Sequence, residues 1–416
     1  MTAAAPAACI HSAAQVLRPP SDGLPYLRHD RAHELRLDPG AVCLHDGVVA
    51  GFERDPGAPW QIDASGCAIV PGFVDCHTHL PFAGWRAGEY AMKVAGRRYE
   101  DIARAGGGIR ASARALAEST DDAVLEQAGA LAAEMLAHGT TTLETKSGYG
   151  LSIEQERRSL ALAAQLAGRV EQDVASTALV AHAVPDGFDA DGWLDAVEAA
   201  LPELTPEHVT ALDVYVESVA FTNDHLRRVG GLAARRGLDL RAHVEQFAHH
   251  GSVPVAIDAG ARSVDHVTHA ASEDVAALAR AECAAVLLPS AELLGDEGVA
   301  PGRELADAGA IAVLATDANP GTSPVASLPV VIALAVRRYR WTPAEALLAV
   351  TLNAAWVLRR SHATGSLEAG KRADVLVLDG PIEHVPYRLG HNPVAFAFDG
   401  GHLAYVRPDQ AWRLAA

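Results

Sequence analysis

With 416 residues the chain is longer than one core normally fills, so a large domain with an appendage, or two domains, is expected. Hydrophobic residues at 49% and charged residues at 21% exclude the disordered and collagen-like classes and leave ample material for a buried core. A formal net charge of −18 argues against nonspecific nucleic-acid binding, which depends on Lys and Arg patches, although one buried Arg can still recognise an anion inside an acidic protein.

The N-terminal segment is Ala-rich without a positive charge before Arg18, unlike a secretory signal, and no uninterrupted apolar run approaches the roughly 20 residues that cross a bilayer. A cytoplasmic protein with no membrane partner is the expectation. Up to Ala68 the sequence reads as short strands and turns, with Asp46-Gly47 as a hairpin signal, and this predicts a small β domain. From Cys67 onward short apolar runs alternate with Ala- and Leu-rich segments of helical period, the pattern of βαβ units on a parallel sheet. Strands are expected at Ala68–Asp75, Thr140–Glu144, Ser176–His182, Ala211–Glu217, Leu238–Gln246, Ser263–His266, Ala284–Leu288 and Ile311–Asp317. Helices are expected between them, among them Asp122–Ala137, Ile153–Ala167, Asn223–Arg236 and Ser272–Ala281. Eight such strands make a (β/α)8 barrel of the α/β class.

A last helix is expected around Thr342–Leu358, after which the run from Gly365 to Asp379 returns to strand and turn. The predicted organisation is a barrel over residues 69–363 and a discontinuous β-sandwich domain built from residues 1–68 and 364–416. The five cysteines (Cys9, Cys43, Cys67, Cys76, Cys283) show no CxxC pairing and read as reduced core residues.

In a barrel of this kind catalytic groups sit at the C-terminal ends of the strands. His77 and His79 follow the first strand, and alternation in an extended segment points both imidazoles the same way, so both can reach one ion. Such a pair alone is a weak signal. His243 at the end of strand five, His266 at the end of strand six and Asp317 at the end of strand eight strengthen it, because their strand-end positions match. Asp75 reads as a supporting residue, His249 and His250 as solvated loop residues, and Gly106–Gly108 as a flexible active-site loop, since no phosphate-binding context surrounds those glycines.

The string Pro71-Gly-Phe-Val-Asp75-Cys-His77-Thr-His79, with the later strand-end His and Thr316-Asp317, resembles the amidohydrolase superfamily. Longer strings resemble its imidazolonepropionase family: Phe82-Ala-Gly-Trp-Arg86, Gly139-Thr-Thr-Thr142, Lys146-Ser-Gly-Tyr149-Gly-Leu151, Ala181-His182-Ala-Val-Pro185 and Thr316-Asp317-Ala-Asn319-Pro-Gly321-Thr322-Ser323. The resemblance runs from about Ala68 to Asp379 and implies hydrolytic opening of a cyclic amide, 4-imidazolone-5-propanoate, with a small molecule as partner and a homodimer as assembly.

It also implies one divalent ion, zinc or iron, held by His77, His79, His243 and Asp317, with a bound water acidified toward a pKa of about 7. Asp317 would also move the proton, and His266 would orient or activate the water or polarise the carbonyl. Strand four ends Tyr215-Val-Glu217 and not in the Lys that bridges two metals in some relatives, which favours one ion.

Arg86 lies close beyond the metal pair, where a guanidinium can grip the substrate carboxylate. By family position Tyr149 and His182 hold the ring, and Asn319, Gly321 and Thr322 contact substrate or product. Gln246 stands where deaminating relatives carry a proton-shuttling Glu. An amide can hydrogen-bond a ring nitrogen but cannot shuttle protons, which favours ring opening over deamination. Trp85 departs from the expected small or polar residue and puts the pocket's size in question, which leaves hydrolysis of another cyclic amide or imidazolone as an alternative. A deaminase of the same superfamily is the main rival, and a noncatalytic barrel is disfavoured because all four ligand positions are filled.

Overall fold

The computed structural model describes residues 7–97, 99–295 and 298–415. Strands such as Ala284–Leu287 and Ile311–Leu314 are short apolar runs buried at every position, as a parallel sheet covered on both faces requires. Eight parallel strands pair in chain order: Phe73–Asp75, Thr140–Lys146, Asp173–Ala181, Val209–Tyr215, Asp239–Val244, Ala261–His266, Ala284–Leu287 and Ile311–Leu314. A parallel bridge between Thr78 and Ala318 joins the first to the last and closes the barrel.

The helices start where local chemistry allows. Thr120 accepts from Ala123 N to cap Asp121–Ala137, and Ser152 accepts from Gln155 N to cap Ile153–Ala167. Gly237, in the left-handed region, ends Asn223–Arg236. The single helix expected around Thr342–Leu358 is two, Pro343–Ala349 and Leu352–Val357, because Thr351 leaves helical geometry and its hydroxyl donates to Leu347 O.

The second sheet has nine strands drawn from both chain ends, as expected of the small β domain. Its long first strand, Ala8–Arg18, pairs antiparallel with Arg36–His45 and parallel with both Trp60–Asp63 and Ala68–Pro71. Val375–Leu378 then pairs with Ala68–Pro71 and carries the remaining C-terminal strands. Ile10, Val42, Val49, Ile62, Ile69, Val375, Phe396 and Phe398 fill its core.

The structure corrects two expectations here. Ala68–Asp75 is not one strand: Ala68–Pro71 belongs to the small sheet and Phe73–Asp75 to the barrel. The break is at Gly72, where a Cβ would lie 2.1 Å from Thr141 Oγ1 and 3.0 Å from Asp374 Cβ. Nor are all five cysteines reduced, since Cys9 and Cys43 face each other in the register of the first two strands and form a disulfide. Cys67, Cys76 and Cys283 are free and buried, as read from the sequence. Among the described residues no helix is long and apolar enough to cross a membrane.

Gly72 therefore joins the two sheets where no side chain fits. Gly72→Ala should cost about 1–3 kcal/mol, typical of overpacking, and lower the thermal midpoint by about 1–3 °C for a chain of this size. An unchanged midpoint in calorimetry would show that Thr141 yields freely.

Candidate metal centre and active site

Inside a barrel a charged side chain keeps its place only with partners, and each candidate ligand here has one. His77 Nδ1 donates to Asp265 Oδ2 at 2.6 Å, and His243 Nδ1 donates to Asp213 Oδ1 at 3.1 Å. A carboxylate only accepts, so Nδ1 carries the hydrogen in both rings and Nε2 is left to face inward. His243 Nε2 is buried with no hydrogen-bond partner, and His77 Nε2 has Asp317 Oδ1 3.4 Å away. His79 Nε2 lies 3.3 Å from the same oxygen. His77, His79 and His243 each bring a ligating atom within 4.8 Å of the other two.

Electrostatics fit a cation at this point. Burial holds the His243 imidazole down at about 3, against the opposing pull of Asp213. For His77 burial and Lys146 act downward, but Asp265 and Asp317 outweigh them and raise it to about 9. Burial would raise Asp317, yet hydrogen bonds from His77 and His79 hold it well below the usual carboxylate range. His77 Nε2, like His243 Nε2, is buried without a hydrogen-bond partner, and the negative charge of Asp317 beside it favours a cation at that point. Three imidazoles and one carboxylate are a donor set suited to such an ion.

The remaining predicted residues, Gly321 excepted, converge on the same place. His79, Arg86, Tyr149, His182, His243, Gln246, His266, Asp317, Asn319 and Thr322 line one cavity, together with Ile109 and Tyr215. The His266 ring centre is 5.4 Å from that of His243 and 5.8 Å from that of His77. His266 and Asp317 both hold positive φ, 74° and 53°, a conformation costly for non-glycine residues that turns these strand ends sharply. His182 stacks on His79 at 5.4 Å, and its Nδ1 donates to Gly148 O at 3.0 Å. Burial, then the neighbouring His79 and His243, keep His182 neutral, so its Nε2 is an acceptor.

Arg86 is anchored by Glu89 Oε2 at 3.1 Å and Ser112 Oγ at 2.6 Å. Gly321 does not line the cavity; it makes room for Arg86, because a Cβ there would come within 1.8 Å of Arg86 Nη2. Asn319 is occupied in shaping its own loop: its Oδ1 accepts from Gly321 N and Thr322 N at 2.8 Å each, and its Nδ2 donates to Asp317 O at 2.7 Å.

The amidohydrolase family model matches residues 68–406. The chain belongs to the amidohydrolase family. It is 42% identical over 360 residues to an imidazolonepropionase of Rubrobacter xylanophilus, with 86% of each chain covered. It is also 40% identical over 403 residues to an imidazolonepropionase of Cupriavidus necator, with 92% of this chain and 96% of that one covered. A zinc-bound adenosine deaminase from Xanthomonas campestris has the same fold, with a TM-score of 0.71 at 17% identity over 96% of this chain and 93% of that one.

Several residues of this amidohydrolase were not singled out in the sequence. Glu144, Lys146, Asp213, Arg241 and Asp265 form a buried ionic cluster in contact with the histidines. Their signal was a charge inside an otherwise apolar strand, as in Ala211-Leu-Asp213-Val-Tyr215. Glu156 is buried and accepts from Gly148 N, Gly150 N and Leu151 N at 2.9, 2.6 and 3.3 Å, fixing the loop that carries Tyr149. Asp75 supports, as expected, by accepting from Thr316 Oγ1 at 2.6 Å; burial lifts it to about 6.

Two expectations are corrected. His249 and His250 are not merely solvated, since they pair with Asp274 at 2.9 Å and Glu217 at 2.5 Å. Trp85 does not wall the cavity; it is 49% exposed and packs edge-on against Phe82.

Replacing His243 with Ala should remove bound divalent metal from purified protein, as read by elemental analysis. Retention of one equivalent of metal would take His243 out of the ligand set.

Proposed function

We propose that the chain opens the ring of 4-imidazolone-5-propanoate by hydrolysis at its cyclic amide bond, giving N-formimidoyl-L-glutamate. The observation that carries this reading is one cavity lined by both a buried His and Asp set and an anchored guanidinium, Arg86. The relatives named imidazolonepropionase support it over most of the chain.

The substrate's carboxylate pairs with Arg86, whose planar fork matches it in two parallel hydrogen bonds. Tyr149 and His182 border the ring, and the His182 Nε2 acceptor takes a hydrogen bond from a ring N–H. A divalent ion, zinc or iron, held by His77, His79, His243 and Asp317 would supply an acidified water and polarise the ring carbonyl. Asp317 accepts the water's proton and returns it to the ring nitrogen as the C–N bond breaks, while His266 orients the attack. Gln246 hydrogen-bonds the ring and offers no proton route to an exocyclic amine.

Metal-replete protein should consume 4-imidazolone-5-propanoate and release no ammonia, followed by loss of the substrate's ultraviolet absorbance and an ammonia assay. Metal-loaded protein that leaves this substrate untouched would overturn the reading, and ammonia release from an aminated ring would point to a deaminase.

Arg86→Met should raise KM at least tenfold with a smaller change in kcat, if the guanidinium binds ground and transition states alike. Gly321→Ala should raise KM in the same direction by displacing that guanidinium, with metal content and thermal midpoint preserved. Equal KM in both variants and the parent would remove Arg86 from carboxylate binding.

A further inference from the structure

Two of the three histidines depend on carboxylates that a single ammonium joins. Lys146 ends the second barrel strand, and its side chain is fully buried. Its Nζ lies 2.7 Å from Asp213 Oδ2, 3.1 Å from Glu144 Oε2 and 3.6 Å from Asp265 Oδ2. An ammonium has three N–H donors, and three carboxylates surround it. Asp213 is the acceptor for His243 Nδ1, and Asp265 is the acceptor for His77 Nδ1.

The main chain of Lys146 reaches the site as well. Its N–H donates to Thr78 O at 2.9 Å, the peptide between His77 and His79, and the Thr78 hydroxyl donates to Glu144 O at 2.6 Å. On the far side Arg241 contacts Glu144 at 2.7 Å and Asp265 at 3.3 Å, and donates to Cys76 O at 2.9 Å. The cluster thus holds three carboxylates and two cations, all buried. Arg241 contacts neither Asp213 nor any histidine within ion-pair distance, so the tie between the two His–Asp pairs runs through Lys146.

We propose that Lys146 is a positioning residue that couples the Asp213–His243 and Asp265–His77 pairs, so that the histidines meet a divalent ion as one preformed set. The inference rests on the metal-hydrolase reading above. Without the ammonium, Asp213 loses its cation and its link to Asp265, while Asp265 keeps Arg241 at 3.3 Å and the Ser263 hydroxyl at 2.6 Å, so the two His–Asp pairs are no longer held as one unit. Residues that orient metal ligands in this way typically change affinity about 10- to 100-fold when lost.

The test is the zinc dissociation constant of the full-length Lys146→Met protein, measured by competition with a chromophoric chelator beside the parent and His243→Ala. A parent that binds no zinc would refute the metal reading itself and is read first. Given a parent that binds, Lys146→Met should weaken zinc about 10- to 100-fold and lower kcat of the zinc-saturated form, with KM changed less than about twofold. A folded Lys146→Met protein with parental zinc affinity would overturn the proposal.

Should that variant fail to fold, Glu144→Gln with Lys146→Met removes one buried charge of each sign and leaves both His–Asp pairs intact. Weakened zinc binding in this folded pair supports the coupling. Parental affinity in it, or failure of the pair to fold as well, overturns the proposal, since the ammonium would then serve only the fold.

Discussion

Imidazoles fixed so that a nitrogen of each reaches one shared point are the constraint that organises this barrel. A His ring inside a protein can rotate and can carry its hydrogen on either nitrogen, so a ligand His must be fixed in both respects. Here Asp213 and Asp265 fix His243 and His77. Burying those carboxylates is costly unless cations accompany them, and Lys146 and Arg241 do so. The polar interior of the barrel is therefore a chain of dependencies: histidines need carboxylates, and carboxylates need Lys and Arg. An apolar filling of the same volume would give a stable barrel with no means of holding an ion.

The substrate side follows the same logic with different parts. Arg86 would be mobile on an exposed helix start, but Glu89 and Ser112 hold it and Gly321 leaves it room. Asn319 contributes by building the turn that places Gly321 and Thr322 rather than by offering free polar atoms. Glu156 likewise gathers the N–H groups of the Tyr149 loop, and Gly148 O in that loop orients His182. The groups that face the cavity are few; most of the polar chemistry nearby holds those few in position.

Legibility in the sequence divides along this line. His77, His79 and Asp317 stand out because they follow short apolar strands, and His243 and His266 because they lie at or one residue before the end of theirs, the end of a barrel that carries chemistry. Barrel strands and helices were readable from period and caps, and differ mainly at their ends. The supporting layer was hidden because its partners lie far apart in sequence: Lys146 and Asp213 are separated by 67 positions and His77 and Asp265 by 188. No local pattern encodes such a pairing. The Cys9–Cys43 disulfide was missed for the same reason, since it depends on strand register and not on spacing. Trp85 stands near the ligand pair in sequence but not on its cavity, because nearness along the chain does not set where a side chain points.

The closure of the barrel and the making of the site are one event. Thr78, between the two histidines, bridges to Ala318, directly after Asp317, and His79 N donates to Ala318 O at 2.9 Å. One step deeper, Asp75 receives Thr316 Oγ1 at 2.6 Å, tying the same two strand ends by side chains. Lys146 N on Thr78 O adds the second strand to this seam. The residues that join the first strand to the last are thus interleaved with those that face the ion. A chain whose first and last strands were not paired would have His77 and His79 on one edge and Asp317 on another. The ligand set can exist only in the closed barrel, which explains why hydrogen bonding is so dense at a seam where the regular sheet ladder has already ended.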